Sequence, residues 1–157
     1  LQAELINPFI IAAREVLQQE IGSDVQIGQL SLDNHLLTSR EVKVNIAMTG
    51  DVEGLIFYGL DQHQACQLAS LMLGEPIGEF NEIVYSAVAE MGNVISGIAT
   101  RELERAGYTT DISTPVVLVG EQAKINLVGL TYLVVQLTTA VGPLTLLVAL
   151  RGVKNNC

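Results

Sequence analysis

Apolar residues recur near the start of the chain at Phe9, Ile10, Ala13, Val16, Leu17 and Ile21, a spacing that draws one stripe along a helix from Leu5 to Ile21. Gly22 ends it. Val25–Leu32 and Val42–Met48 then read as strands, the second alternating through Val42, Val44, Ile46 and Met48. Thr49-Gly50-Asp51 turns the chain into a further strand, Gly54–Leu60. A helix is predicted over Asp61–Leu73, with Asp61 as its cap, Ala65, Leu68, Ala69 and Met72 inward, and a stop at Gly74-Glu75-Pro76.

The longest periodic segment runs from Glu82 to Arg105, with Asn81 as cap and Gly107 just past its end. Pro115–Gly120, Ala123–Leu127, Leu130–Leu137 and Leu144–Leu150 follow as strands rich in Val, Leu and Ile, with Val141-Gly142-Pro143 as the last turn. The two halves share an order of helix, strand, connection, long strand, Gly-containing turn and last strand, with Asp61–Leu73 inserted between them. That order predicts one α+β domain over residues 1–157. Two layers are expected, a mainly antiparallel sheet with long helices on one face, related by a pseudo-twofold axis. Leu144–Leu150 is apolar on both faces and would make a poor edge if left bare.

On an ideal wheel the Glu82–Arg105 segment places Ile83, Val84, Ala87, Val88, Met91, Val94, Ile95 and Ile98 within an arc of roughly 140°, the predicted core face. Ser86, Glu90, Asn93 and Gly97 fall in a narrow band elsewhere, beside Ala89, Ser96 and Thr100. This outer face is small and bare where a surface helix usually carries long charged side chains, so another molecule's backbone could approach it closely. Gly92 and Gly97 read equally as sites of close packing inside the domain or of partner docking. Taken alone, a Glu and an Asn three apart on a helix are most often a solvated face.

Composition removes several function classes. Hydrophobic residues make up 49% of the 157 and charged residues 16%, which excludes a disordered chain. The net charge of −9, with eight scattered Lys and Arg, argues against nucleic acid as a partner. No apolar run reaches the roughly 18 residues of a membrane span and no signal-peptide pattern opens the chain, so a soluble, cytoplasmic protein is expected. Cys66 and Cys157 lack metal-ligand or CxxC spacing and read as reduced thiols. His35 and His63 stand apart from other ligand types, and no metal site is expected.

Ser86-x3-Glu90-x2-Asn93, followed by Pro115 after the helix, resembles the CheX, CheC and FliY phosphatases of chemotaxis. The likeness is densest through Tyr85–Gly97 and Asp111–Pro115 and in outline covers the chain. CheC-like members carry the Glu/Asn pair twice, whereas the first helix here offers Asn7 and Glu15 in no such arrangement, so the single motif is similar to CheX. The resemblance implies hydrolysis of the aspartyl phosphate on a phosphorylated CheY-like response regulator, in two-component signalling. It implies that Asn93 enters the regulator's site and holds the attacking water, while Glu90 pairs with the regulator's Lys. The regulator brings its own Mg²⁺, and this chain binds no cofactor. Ser86, Ala89 and Gly97 would face the partner, with Ser86 reading as readily as a small surface residue. Pro115 would support the strand entering beside the helix. Two other readings stay open, a non-catalytic CheX-like module that scaffolds a regulator or motility component, and a purely structural dimerisation domain. Because CheX relatives pair through their sheets, the resemblance also implies a homodimer, which the apolar Leu144–Leu150 allows.

Overall fold

A computed structural model describes residues 3–120 and 125–153. In chain order the elements are α1 (Ala3–Ile21), β1 (Gln26–Ser31), α2 (His35–Thr38), β2 (Val42–Gly50), β3 (Val52–Leu60), α3 (Gln62–Leu73), α4 (Glu82–Arg105), β4 (Thr110–Ile112), β5 (Val116–Val119), β6 (Leu133–Thr139) and β7 (Gly142–Gly152). The strands form one antiparallel sheet in the order β1-β6-β7-β3-β2-β4, with β5 sharing the outer edge of β2. The last strands of the two halves, β3 and β7, lie side by side at its centre, with Phe57 opposite Leu147. The expected α+β architecture is present.

Alternation along the central strands sends one set of side chains under the helices. Val44, Ile46, Tyr58, Leu146 and Val148 meet Phe9, Ala13 and Leu17 of α1 and Val84, Val88, Met91 and Ile95 of α4 in the main core. Each fully buried aliphatic side chain there contributes about 1.5–3 kcal/mol relative to exposure. The opposite set is not left wet. Phe57, Val134, Leu147 and Ala149 pack under Leu37 of α2 and under Leu127 in a second, smaller cluster.

That cover explains where the sequence-based expectations fail. Residues 125–127 form no strand; Leu127 is buried as part of an irregular lid on the back of the sheet, and positions 123 and 124 lie outside the described residues. A short apolar run carries no period long enough to separate strand from lid. Leu144–Leu150 is apolar on both faces because β7 is a central strand, paired with β6 and β3 and covered on both faces, so it leaves no bare edge. The last turn is Ala140-Val141, one residue earlier than expected, and Thr139 pairs with Gly142. Pro143 is accommodated because it lies at the start of β7.

The caps follow the sequence closely. Asn81, in extended conformation, accepts hydrogen bonds on its side-chain oxygen from the backbone N–H groups of Ile83 (3.0 Å) and Val84 (3.1 Å), which fixes the first turn of α4. At α3 the Gln64 side chain accepts from the Asp61 N–H at 2.9 Å, and Asp61 pairs with Arg40 at 3.2 Å. Gly74, at φ 71°, terminates that helix in the left-handed region.

Candidate functional site

What seats α4 decides which of its residues face out. Its buried side is Val84, Ala87, Val88, Met91, Gly92, Ile95, Ser96, Ala99 and Leu103. Tyr58 of β3, itself fully buried, lies directly beneath. A Cβ added at Gly92 would sit 2.9 Å from Val44 Cγ1 and 3.3 Å from Tyr58 Cδ2, so the helix backbone rests on these two side chains. One turn on, the Tyr58 hydroxyl and Ser96 Oγ are 2.7 Å apart in a buried hydrogen bond. Burial pushes the Tyr58 pKa far up, more than the Ser96 hydrogen bond lowers it, so the phenol stays neutral.

This seating corrects the wheel reading. Ser96, expected on the outer face, is 0% exposed, while Ile83 and Val94, expected in the core, are 51% and 39% exposed. The buried arc is turned toward the small residues Gly92, Ser96 and Ala99, because only there can the backbone come close to the sheet. Length and composition alone would also suit α4 to a bilayer, but its apolar face is taken up by the domain's own core.

On the other side, Ser86 and Glu90 are exposed, and Ala89, Asn93 and Gly97 are half-buried. The structure therefore brings the predicted stripe together on one helix face. Glu90 and Asn93 are separated by one turn, a rise of about 4.5 Å. Among the described residues neither side chain makes a hydrogen bond or ion pair within the chain. Around Gly97 nothing lies within 4 Å of the place a Cβ would occupy, which separates it from Gly92. Pro115 is half-buried immediately before β5, which pairs with β2 and packs against α4. The stretch leading to it is tied to the same edge, since β4 pairs with Met48–Gly50 and Ser113 Oγ accepts from Ala47 N–H at 2.9 Å.

A concavity of about 530 Å³ adjoins this stripe. It lies between the ends of α1 and α3, at Glu20, Met72 and Leu73, and the α4 residues Ile83, Ser86 and Glu90. Sequence reasoning missed Ile83 as a surface residue, although it falls about 20° from Glu90 on the wheel, seven positions earlier. Elsewhere, His35 and His63 are exposed on α2 and α3, and Cys66 is buried, with its thiol pKa raised by burial and by Glu79. Cys157 lies outside the described residues. Among the described residues no three His, Cys, Asp or Glu side chains gather as a metal site.

The sequence profile described as chemotaxis phosphatase CheX matches residues 42–138, which contain β2 through most of β6 and the whole of α4. The chain belongs to the CheX family. It is 28% identical over 130 residues to the protein of Thermotoga maritima named CheY-P phosphatase CheX, covering 82% of this chain and 84% of that one. Among solved structures, the chain matched in the CheX–CheY–BeF3–Mg²⁺ complex of Borrelia burgdorferi superposes with a TM-score of 0.82. It is 29% identical, over 93% of this chain and 97% of that one. Chemotaxis protein CheX of Desulfovibrio desulfuricans superposes with a TM-score of 0.83 at 26% identity, over 94% and 99% of the respective chains.

Proposed function

We propose that this protein hydrolyses the aspartyl phosphate of a CheY-like response regulator, with Asn93 holding the attacking water and Glu90 pairing with the regulator's Lys. The observation that carries the reading is the unpartnered Glu90 and Asn93 pair, displayed outward on a helix whose rotation is held from inside by Tyr58, Gly92 and Ser96. The name of the Thermotoga relative and the CheY bound in the Borrelia complex support the choice of substrate.

The chemistry asks little of the chain. Water oxygen attacks phosphorus, the bond from phosphorus to the aspartyl oxygen breaks, and that carboxylate leaves already ionised, while the water's proton passes to the phosphate or to solvent. The Mg²⁺ and the Lys that neutralise the phosphoryl oxygens come with the regulator. An amide suits the remaining task, since it donates and accepts, never carries charge beside the phosphate, and can fix one orientation of water. Glu90, freed from intramolecular pairs, is available for a charge-assisted contact that sets the docking register. A hundredfold acceleration corresponds to only about 2.7 kcal/mol, within reach of one oriented water.

The test is phosphate release from a Mg²⁺-loaded, phosphorylated CheY-like receiver of the same genome, with wild type and with Asn93→Ala. Wild type is expected to shorten the phosphoryl lifetime about hundredfold or more, and the variant to bind the receiver but lose that acceleration. Wild type that binds the receiver and leaves its lifetime unchanged would make the protein a scaffold instead.

A further inference from the structure

The concavity beside Glu90 has a chemistry of its own. Its floor is aliphatic, with Leu73 and Ile83 half exposed at 49% and 51% and Met72 partly buried between them and the core. Its rim carries the carboxylates Glu20, Glu82 and Glu90, contributed by the end of α1 and by α4, and no Lys or Arg lines it. We propose that this groove is a specificity pocket for the same regulator, receiving an aliphatic side chain flanked by Lys or Arg next to the regulator's phosphorylation site.

Three features of the groove converge on that occupant. Two large aliphatic side chains on neighbouring helices are left in water, and covering them together is favourable in proportion to the apolar area removed from water. The rim carboxylates select a partner element of opposite charge and disfavour another surface as acidic as this chain, including a second copy. Glu90 belongs to both the rim and the proposed site, so an occupant of the groove is in register with Asn93 one turn along. The inference rests on the proposed function for the identity of the partner. Recognition and chemistry are nevertheless separable, because Leu73, Ile83, Glu20 and Glu82 touch no reacting atom in that mechanism.

Steady-state hydrolysis of the phosphorylated, Mg²⁺-loaded CheY-like receiver tests the groove in the full chain. The variants are Leu73→Ser with Ile83→Ser, Glu20→Gln with Glu82→Gln, and Ile11→Ser as a control on an exposed aliphatic of α1 (55% exposed) outside the groove. For the double serine variant KM is expected to rise about tenfold or more, with kcat changed less than about twofold and the melting temperature retained. For the glutamine variant KM is expected to rise several-fold at low salt and to lose much of its salt dependence. The control leaves both constants unchanged. An unchanged KM in the double serine variant of an active protein overturns the groove and leaves the phosphatase reading standing. An inactive wild type overturns the phosphatase reading, and the groove is then decided by titrating a BeF3- and Mg²⁺-loaded receiver, where equal affinity of wild type and double variant overturns it. A shift in self-association by sedimentation with KM unchanged would assign the groove to a second copy and also overturn the proposal.

Discussion

Gly92 and Gly97 sit five residues apart on α4, on opposite sides of the same helix, and they have opposite neighbours. At Gly92 the missing side chain is filled by Val44 and the Tyr58 ring; at Gly97 it opens onto empty space. Each glycine in a helix interior costs about 1 kcal/mol relative to alanine. At Gly92 the fold recovers that cost through close packing of helix on sheet, whereas at Gly97 nothing inside the domain does. The difference divides α4 into a face whose residues are explained by this chain alone and a face whose residues this chain does not explain, which is where the proposed regulator would dock. Glu90 and Asn93 belong to the second.

Substitutions on the inner face should damage stability first. Gly92→Val drives three carbons into Val44 and Tyr58 and is expected to cost about 3 kcal/mol or more, against a helix-propensity gain of only a few tenths. Urea unfolding monitored by circular dichroism reads it, and a cost below about 1 kcal/mol would mean that α4 can lift off the sheet without penalty. A milder change at the same seat is Tyr58→Phe. It keeps the ring under Gly92 but leaves Ser96 Oγ without its phenolic partner in a dry environment, an expected loss of about 1–2 kcal/mol. Because burial raises the Tyr58 pKa above its ordinary value near 10, the unfolded chain ionises first, so stability should be insensitive to this residue below about pH 9 and should fall as pH rises through about 10, a loss absent in Tyr58→Phe. If Tyr58→Phe unfolds at the wild-type urea concentration, the buried hydrogen bond does not hold the helix.

Much of α4 was legible without coordinates. Its boundaries, its Asn81 cap and its Ser86, Glu90, Asn93 and Gly97 stripe follow from a periodic pattern long enough to outweigh local ambiguity. What failed were assignments that depend on partners remote in sequence. Ser96 reads as a surface residue until Tyr58, 38 positions earlier, supplies a buried partner for its hydroxyl. Ile83 and Val94 read as core until the seat at Gly92 turns them outward, and this is how the groove escaped notice. The back cover of the sheet by α2 and Leu127 was invisible for the same reason, and the apolar back face of β7 therefore had no visible partner. Gly92 and Gly97 are the plainest instance, since identical residues can be told apart only by what surrounds them in space.

The smallest expected effect is the most direct test of the division between the two faces. Gly97→Ala should raise the unfolding free energy by about 0.5–1 kcal/mol, since the new methyl meets nothing in the chain and the helix gains propensity. The same methyl should obstruct the approach of the regulator and raise KM for the phosphorylated receiver. Measured together on one preparation, opposite signs in stability and in substrate affinity are what the account predicts. A variant that is less stable, or one that is more stable with unchanged KM, would contradict it, by showing that the open space beside Gly97 serves the fold or serves nothing.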